Sequence, residues 1–400
     1  MQGRREGDTD SATFSYDDGY LQHGDAYSID PVLPLRQGRF ATLPGHSLFG
    51  ALLDCSPDGW GRGLVEKEEQ SRADMEGRSA QPLGEVDLLL KVRDDAREGA
   101  LRFRGDSGPF LATDTAGVPR LAELPELVDL AFHAGDGTAD VDQLRRLLRA
   151  SGSLGGARPK VHVVDVEGHL AIAKFPDEHA DRWNLMAWEK VTLDLARAAG
   201  IVVADSRLLR AAGRHVLVVH RFDRRGEQRV GYASAKTMLK AAVGERRSYL
   251  DIADVIEQRS AQPTQDLQQL WRRIVFTVLV SNTDDHLRNH GFLNDRGERW
   301  RLSPAFDVNP NPSPEPLELN TAIDETDTSP SITTARAVAE RFRVSSAEAS
   351  QVVAQVLTAV QTWDQVARRH GLAESEIEQM RPAFEHGQTA VARRLASATE

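Results

Sequence analysis

Residues 281–292, with the sequence SNTDDHLRNHGF, gather carboxylates, histidines and amides directly after an apolar run. Asp284 and Asn289 are five positions apart, and Asp307 follows eighteen positions later within SPAFDVNP. Phosphoryl transfer from ATP needs a carboxylate that orients a hydroxyl, and an amide oxygen and a second carboxylate that hold Mg²⁺ against the phosphates. Hard oxygen ligands of this kind suit Mg²⁺. The three residues supply these groups in that order.

A second set of residues upstream could bind the phosphates of a nucleotide. Lys174 falls in a predicted strand and Glu189 in the helix after it. In kinases a lysine in this place contacts the α and β phosphates and is braced by a carboxylate. The preceding loop, SGSLGGARPK at residues 151–160, would present backbone N–H groups, because glycines permit close approach. The order of these pieces along the chain therefore indicates a nucleotide site.

Each residue also has a simpler explanation. Asp284 and Asp285 could cap the following turn. Lys174 could be a solvated strand lysine, and Glu189 a surface residue of its helix. The glycine loop lacks the GK[ST] ending of a P-loop NTPase, and Ser153 beside glycine is most often a turn residue. The kinase order of the groups favours the functional interpretation over these separate ones.

Two metal-binding alternatives are weaker. His286 and His290 have a zinc-like spacing, but the glutamate of HExxH and a third ligand are missing. DVNPNPSPEPLE, which starts at Asp307, places acids and amides at calcium-loop positions, yet Pro312 stands where the sharp turn requires glycine. We therefore expect neither a zinc site nor an EF-hand.

The flanking sequence predicts the elements that position these groups. KVHVV and LAIAKF are β-rich runs that form a hairpin with the glycine loop at its mouth. A helix over 181–200 ends at Gly200, and IVVADSRLLR and HVLVVHRF predict two more strands. The apolar helix LQQLWRRIVFTVLVSN delivers the polar cluster at its end. GFLNDRGERWRLS predicts a hairpin, residues 303–330 a long loop, and the chain from Thr333 to Glu400 amphipathic helices.

Length and composition set the wider organisation. The 400 residues exceed what one core usually serves, and composition shifts divide them into an α/β module at 1–122, a β-rich segment with linking helices at 123–248, and a helical segment at 249–400. The net charge of -11 argues against nonspecific attraction to nucleic acid or anionic membrane. A single cysteine, Cys55, and a polar N-terminus without an apolar span indicate a cytoplasmic protein with no membrane partner.

Several motifs together resemble the serine/threonine kinases of the HipA toxin family. They are SLGGARPK, AIAKFP, VVHRFDR, NTDDHLRN and AFDVNP, and the likeness extends over most of the chain. The N-terminal SPDGWGR also resembles that family's accessory region, less specifically. The resemblance implies an α+β, protein-kinase-like two-lobed fold, with a small β-rich lobe, a larger helical lobe and an N-terminal α/β accessory module.

The resemblance also implies roles for individual residues. Asp284 corresponds to the catalytic base, His286 and Asn289 to the nucleotide and metal loop, and Asp307 to the Mg²⁺-binding aspartate. Lys174 corresponds to the phosphate-binding lysine, and Ser153 to the serine whose autophosphorylation silences family members. The remaining expected ATP contacts are the phosphate loop Gly155, Gly156, Ala157, Arg158, Pro159 and Lys160, and the adenine-contacting hinge His220, Arg221 and Phe222.

The function implied is that of an ATP- and Mg²⁺-dependent serine/threonine kinase, the toxin of a bacterial toxin-antitoxin pair. Its expected partners are a small HipB-like DNA-binding antitoxin, through which it meets DNA only indirectly, and a component of the translation machinery such as glutamyl-tRNA synthetase. Two alternatives stay open: a small-molecule phosphotransferase of the same fold, and a non-catalytic kinase-like co-repressor.

Two positions depart from the family pattern. His220 stands where a glutamate often precedes RFDR, and Asp285 where a glycine often follows the catalytic aspartate. Since the hinge acts through main-chain atoms, His220 should be tolerated. Asp285 adds a charge beside the expected metal site, with an effect on metal affinity that the sequence leaves open.

Overall fold

The computed structural model describes residues 2–6, 9–113, 117–153, 155–242, 244–294, 297, 299–313 and 317–397. Leu154 of the glycine loop, residues 295, 296 and 298 of the predicted hairpin and residues 314–316 of the long loop lie outside this description. The chain divides into two compact units. The first unit is Met1–Asp181, Leu209–Ala233 and Leu293–Glu298, and the second is Arg182–Leu208, Ser234–Phe292 and Arg299–Glu400. The domain boundaries predicted at 122 and 248 remain a prediction.

The first half of the chain contains both strands and helices, and helices dominate the second half. The strands are β1 (Gln2–Glu6), β2 (Thr9–Phe14), β3 (Phe40–Ala41), β4 (Lys160–Val164), β5 (Leu170–Lys174), β6 (Ser206–Ala211), β7 (Arg214–His220), β8 (Arg224–Arg225), β9 (Gln228–Arg229), β10 (Gly231–Ser234), β11 (Gly291–Asn294) and β12 (Arg301–Leu302). The helices are α1 (Asp18–Leu21), α2 (Gly50–Leu53), α3 (Gly59–Glu76), α4 (Glu85–Lys91), α5 (Leu124–Gly135), α6 (Val141–Ala150), α7 (Leu185–Ala198), α8 (Ala235–Met238), α9 (Tyr249–Arg259), α10 (Pro263–Leu279), α11 (Ile332–Ala337), α12 (Ser346–Val360), α13 (Trp363–Arg369), α14 (Glu374–Met380) and α15 (Gly387–Ser397).

An antiparallel sheet has the strand order β4-β5-β7-β6, and its strands β4, β5 and β7 belong to the first unit. The predicted β4–β5 hairpin is confirmed, with Lys160 paired to Lys174, and β7 adds to β5 with His220 opposite Ala171. Val161 and Ala173 point into a core that also includes Leu64 of α3 and Leu127 of α5. The helices predicted within the segment 123–248 include α5 and α6, which precede β4. This core holds the glycine loop beside a rigid sheet.

The second unit is built around α10. Pro263 occupies its first turn, where the missing N–H is no loss, and an apolar surface that includes Leu270, Trp271 and Phe276 is buried. The helix packs against α9 and α12. The predicted hairpin after it forms as β11 and β12, since the Ser303 N–H donates to the Gly291 carbonyl at 2.8 Å. The long loop after β12 and the helices from α11 onward also agree with the sequence.

α7 shows how local sequence sets a helix's bounds. Asn184 caps its start by accepting a hydrogen bond from the Ala187 N–H at 3.2 Å. Gly200 ends it in the left-handed conformation, with φ of +77°, which glycine adopts without steric cost. Among the described residues no helix combines the length and apolarity needed to cross a lipid bilayer.

Candidate active site

The predicted catalytic segment begins where α10 ends. Ser281 adopts a left-handed backbone with φ of +52°, and the Asn282 N–H donates back to the Thr277 carbonyl at 3.0 Å. A left-handed conformation costs a residue other than glycine about 1 kcal/mol or more, and such strain concentrates at functional sites. The buried helix thus directs residues 283–290 away from its end on a rigid base.

Asp284 lies at the surface of the second unit and is held from two sides. Its Oδ1 accepts a hydrogen bond from Nδ2 of Asn320 at 2.9 Å, and its main-chain carbonyl accepts one from Nδ2 of Asn289 at 3.1 Å. The side chain is exposed to solvent, as a group that meets an incoming hydroxyl must be. Because the amide nitrogen of Asn289 donates to Asp284, Oδ1 of Asn289 is the atom that can serve as a metal ligand.

Asp285 points in the opposite direction, into the core of the second unit. Tyr249 donates its hydroxyl to Oδ2 of Asp285, Nε2 of His290 lies 3.2 Å from the same oxygen, and Thr277 donates at 3.4 Å. Burial disfavours the charged form, but the contacts with His290 and Tyr249 outweigh it and hold the pKa of this carboxyl below its usual value. The extra aspartate that departs from the family pattern is therefore embedded in a buried polar cluster.

Asp307 has the second unusual backbone of the site, with φ of +56°. Nδ2 of Asn309 donates to its Oδ1 at 3.3 Å. Its neighbours Phe306 and Val308 line the same small cavity as Asn289. The hydroxyl of Thr192 on α7 donates to the Val308 carbonyl and fixes this turn. The second unit therefore brings the Asp307 turn and Asn289 to one place, although eighteen positions separate them in sequence.

The donor set of this place fits Mg²⁺. The candidate ligands are the amide oxygen of Asn289 and the carboxylate of Asp307, both hard oxygens. Nearby, Oδ1 of Asn282 and Oδ1 of Asn309 are buried, and neither receives a hydrogen bond from the residues that the structure describes. Buried oxygens with unused lone pairs are costly unless a cation, a donor or water meets them.

The glycine loop belongs to the first unit. Gly155, Gly156 and Ala157 are exposed, and Gly156 takes a φ of +101° that favours glycine. Lys160 donates its ammonium to the Gly155 carbonyl, and Nε of Arg158 donates to Oδ1 of Asp181 at 2.8 Å. Pro159 accepts a hydrogen bond from the Phe175 N–H at 2.9 Å, which ties the loop to the end of β5. The loop thus offers exposed backbone on a fixed base.

Ser153, the predicted autophosphorylation site, is buried. Only 1% of its surface is exposed, and its Oγ accepts a hydrogen bond from the Glu98 N–H at 2.7 Å. Gly152 before it lies so close to His162 that an added Cβ would stand 2.5 Å from the ring. Phosphoryl transfer to Ser153 therefore requires this segment to leave the position seen in this conformation.

Lys174 and Glu189 belong to different units. Lys174 is half-buried near the end of β5. Glu189 lies on α7 with 1% of its surface exposed, which differs from the solvated helix face that its sequence favours when considered alone. Their pairing stays a prediction, but a buried carboxylate requires a compensating partner.

The side chains of His220 and Arg221 in the hinge segment contact other residues of the first unit. Nε2 of His220 lies 3.1 Å from Oδ2 of Asp165. The Arg221 side chain is buried, where it pairs with Asp223 and contacts Nε2 of His162 at 2.6 Å. The Arg221 N–H donates to the Leu170 carbonyl at 3.0 Å. The side chain of Arg221 is thus part of the first unit's buried polar core, and Phe222 beside it is half-buried.

Three supporting residues escaped sequence reasoning: Tyr249, Thr192 and Asn320. Tyr249 donates a hydrogen bond to Asp285, and Asn320 donates one to Asp284. Thr192 donates one to the turn at Asp307. Each of these bonds joins residues that are far apart in the sequence. Tyr249 and Thr192 read as ordinary helix residues, and Asn320 as a loop residue. No spacing rule links them to the catalytic segment, so only tertiary structure identifies them.

Comparisons with known proteins identify the family and the fold. The profile of the HipA-like C-terminal domain matches residues 152–363, more than half of the chain. A candidate kinase of Sinorhizobium fredii, Y4mE, is 25% identical over 74% of this chain and 71% of its own length. A candidate kinase of Haemophilus influenzae is 26% identical over 41% of this chain and 54% of its own.

Among solved structures, HipA of Shewanella oneidensis MR-1, in its complex with HipB and operator DNA, superposes with a TM-score of 0.63. The match covers 100% of this chain and 94% of that one at 17% identity, so it establishes the fold alone. The predicted α+β kinase-like fold class is thereby confirmed. Together with the domain match, this places the chain in the HipA-like family.

Proposed function

We propose that this protein is an ATP- and Mg²⁺-dependent serine/threonine protein kinase that acts as the toxin of a toxin-antitoxin pair. The observation that carries the proposal is the arrangement in the second unit of an exposed Asp284 braced by Asn289, with the turn at Asp307 bordering the same cavity as Asn289. Membership of the HipA-like family and kinase-named relatives support the same chemistry.

In this proposal each residue has one task. Asp284 accepts or orients the proton of the substrate hydroxyl, while Asn289 and Asp307 hold Mg²⁺. When bound, the metal would neutralise charge on the phosphates. The exposed backbone of Gly155 and Ala157 receives phosphate oxygens, and the hinge contributes main-chain contacts to adenine. Positioning and charge stabilisation would supply most of the rate enhancement.

The order of the elements along the chain supports the proposed role of Glu189 as brace for Lys174. A buried carboxylate is costly unless a cation or several donors compensate it. Lys174 is the cation that the order of elements assigns to it. We expect Lys174→Ala to weaken ATP binding, and Glu189→Gln to do so less, because the lysine itself remains.

The expected partners follow from the relatives. HipA of S. oneidensis is seen with HipB and operator DNA. We propose a HipB-like DNA-binding antitoxin for this chain, with DNA met only through it, which agrees with the net charge of -11. We further propose a cytoplasmic substrate from the translation machinery, of which glutamyl-tRNA synthetase is the family's example.

The test is transfer of label from [γ-³²P]ATP to proteins of a bacterial lysate, followed by mass spectrometry of labelled sites. Wild type should label serine or threonine in an Mg²⁺-dependent manner. In Asp284→Asn the rate of labelling should fall at least about 100-fold, as expected for loss of a general base. Asp254→Asn is the matched control, because Asp254 is an exposed aspartate of the same unit that pairs with Arg341. Equal labelling by Asp284→Asn and wild type would reject the assignment.

Ser153 discriminates the protein kinase from a small-molecule phosphotransferase. Incubation with ATP should place phosphate on Ser153, and Ser153→Ala should remove that signal while transfer to other proteins continues. Transfer to small hydroxylated molecules, with no labelled protein, would instead favour the phosphotransferase.

A further inference from the structure

The N-terminal motif SPDGW, residues 56–60, contacts the glycine loop directly within the first unit. Oδ1 of Asp58 accepts a hydrogen bond from the Gly156 N–H at 2.7 Å. The Trp60 N–H donates to the Gly156 carbonyl at 3.0 Å. Both polar backbone groups of one loop residue are therefore held by one short motif that lies almost a hundred positions earlier in the sequence.

Glycines on both sides make this contact possible. Gly59 has a φ of +48°, and a Cβ added there would stand 2.3 Å from the Gly156 carbonyl oxygen. A Cβ on Gly155 would stand 3.0 Å from Oδ1 of Asp58. No larger residue fits at Gly59 without displacing the loop. Glycines of both motifs therefore allow SPDGW and the glycine loop to pack closely together.

The motif is also anchored firmly. Asp58 occupies the N-cap position of α3, but its carboxylate makes no capping hydrogen bond to that helix and reaches the loop instead. Aspartate at this position ordinarily accepts from the first turn of its own helix. Leu64 of α3 belongs to the same core as Val161 and Ala173 of the sheet, and Trp60 packs against that core. Asp58 is thus fixed relative to the strands that carry the loop.

We propose that Asp58 is a positioning residue for nucleotide phosphates, and that SPDGW clamps the loop in its binding shape. This inference rests on the proposed function, because it assumes that the loop receives ATP. Asp58 occupies one amide, that of Gly156, and the exposed residues on either side of it, Gly155 and Ala157, are left for an incoming phosphate. The accessory module then contributes to ATP affinity while it contacts neither the nucleotide nor the metal.

The first test is hydrogen exchange of peptides covering residues 155–160 in the protein without nucleotide, which requires no kinase activity. Loss of a hydrogen bond to a charged acceptor corresponds to about ten- to hundred-fold faster exchange. We expect this acceleration in Asp58→Ala and a smaller one in Asp58→Asn, whose amide oxygen still accepts. Asp74→Ala is the matched control, because Asp74 is an exposed aspartate of α3 that contacts Gln70. Unchanged exchange in Asp58→Ala would overturn the clamp.

The second test is the ATP dependence of phosphoryl transfer. In Asp58→Ala the disordered loop should raise KM for ATP about tenfold, while kcat changes much less. The KM of Asp58→Asn should lie between those of Asp58→Ala and wild type. An unchanged KM in spite of faster exchange would reject the positioning role. A lower KM would show that Asp58 competes with phosphate and would equally reject it. A wild-type protein that neither binds nor uses ATP would reject the proposed function, and the exchange test would still decide whether the clamp exists.

Discussion

Replacing Asp285 should strongly destabilise the second unit, whereas replacing its neighbour Asp284 should remove activity with little effect on stability. The carboxylate of Asp285 receives the Tyr249 hydroxyl and contacts His290, and all three groups are buried. Removing this acceptor leaves the buried donors around it unsatisfied, at about 1–3 kcal/mol for each and about 3–5 kcal/mol together. We expect Asp285→Ala to lower the free energy of unfolding by this amount. Asp285→Asn should cost about 1–2 kcal/mol, since one acceptor oxygen remains.

Asp284→Ala is the matched variant. The Asp284 side chain is exposed and accepts a hydrogen bond from Asn320, and because solvent can replace such contacts at the surface, its loss should change stability by less than about 1 kcal/mol. Urea unfolding followed by tryptophan fluorescence measures the difference. Five of the six tryptophans lie in the second unit, which makes the signal specific to it.

The pH dependence provides a further check on the same cluster. Because the pKa of Asp285 is held below its usual value in the folded protein, its stabilising contribution is present above the ordinary aspartate pKa and is lost as the pH falls through the lowered value. The advantage of wild type over Asp285→Asn should therefore shrink under acid conditions. Equal stabilities of Asp285→Ala, Asp284→Ala and wild type at neutral pH would refute the buried-cluster reasoning.

Three other perturbations have defined outcomes. Burial raises the pKa of the Glu98 carboxyl to about 8. The folded protein therefore holds this proton more tightly than the unfolded chain does. In thermal unfolding, the stability of wild type relative to Glu98→Gln should fall as the pH rises from 5 to 9. In the same urea titration, Gly59→Ala should destabilise the protein by at least about 1 kcal/mol. Gly63 has open space where a Cβ would lie, so Gly63→Ala should be neutral or stabilising by up to about 1 kcal/mol. Thr192→Val should remove the donor to the turn at Asp307 and weaken Mg²⁺ binding, and calorimetric titration that shows unchanged affinity would contradict this role.

Local sequence predicted the elements near the site well. β4, β5 and β7 are β-rich runs bounded by turn residues, and α7 and α10 have apolar faces with clear stop or start signals. These signals are carried by neighbouring residues, so they can be read without the fold. The hairpin β1–β2 was not predicted, because residues 2–14 are mostly polar and carry no strand-like run of apolar residues.

The sequence predicts an order of site residues along the chain but not the direction in which their side chains point. Sequence placed Asp284, Asn289 and Asp307 in a kinase arrangement, yet it could not say that Asp285 turns inward to Tyr249, thirty-six positions away. It also could not foresee that Asp58 reaches Gly156, because the intervening chain has no periodic pattern that pairs them. Such contacts depend on how helices and loops are brought together, and no local spacing encodes them.

The central claim is that Lys174, Asn289 and Asp307 serve one bound nucleotide. A crystal structure with Mg²⁺ and a non-hydrolysable ATP analogue tests it most directly. The account predicts that the Lys174 ammonium contacts the α and β phosphates while Asn289 and Asp307 coordinate the metal on the same triphosphate. A nucleotide bound elsewhere, or one that only Lys174 or only Asp307 approaches, would contradict it.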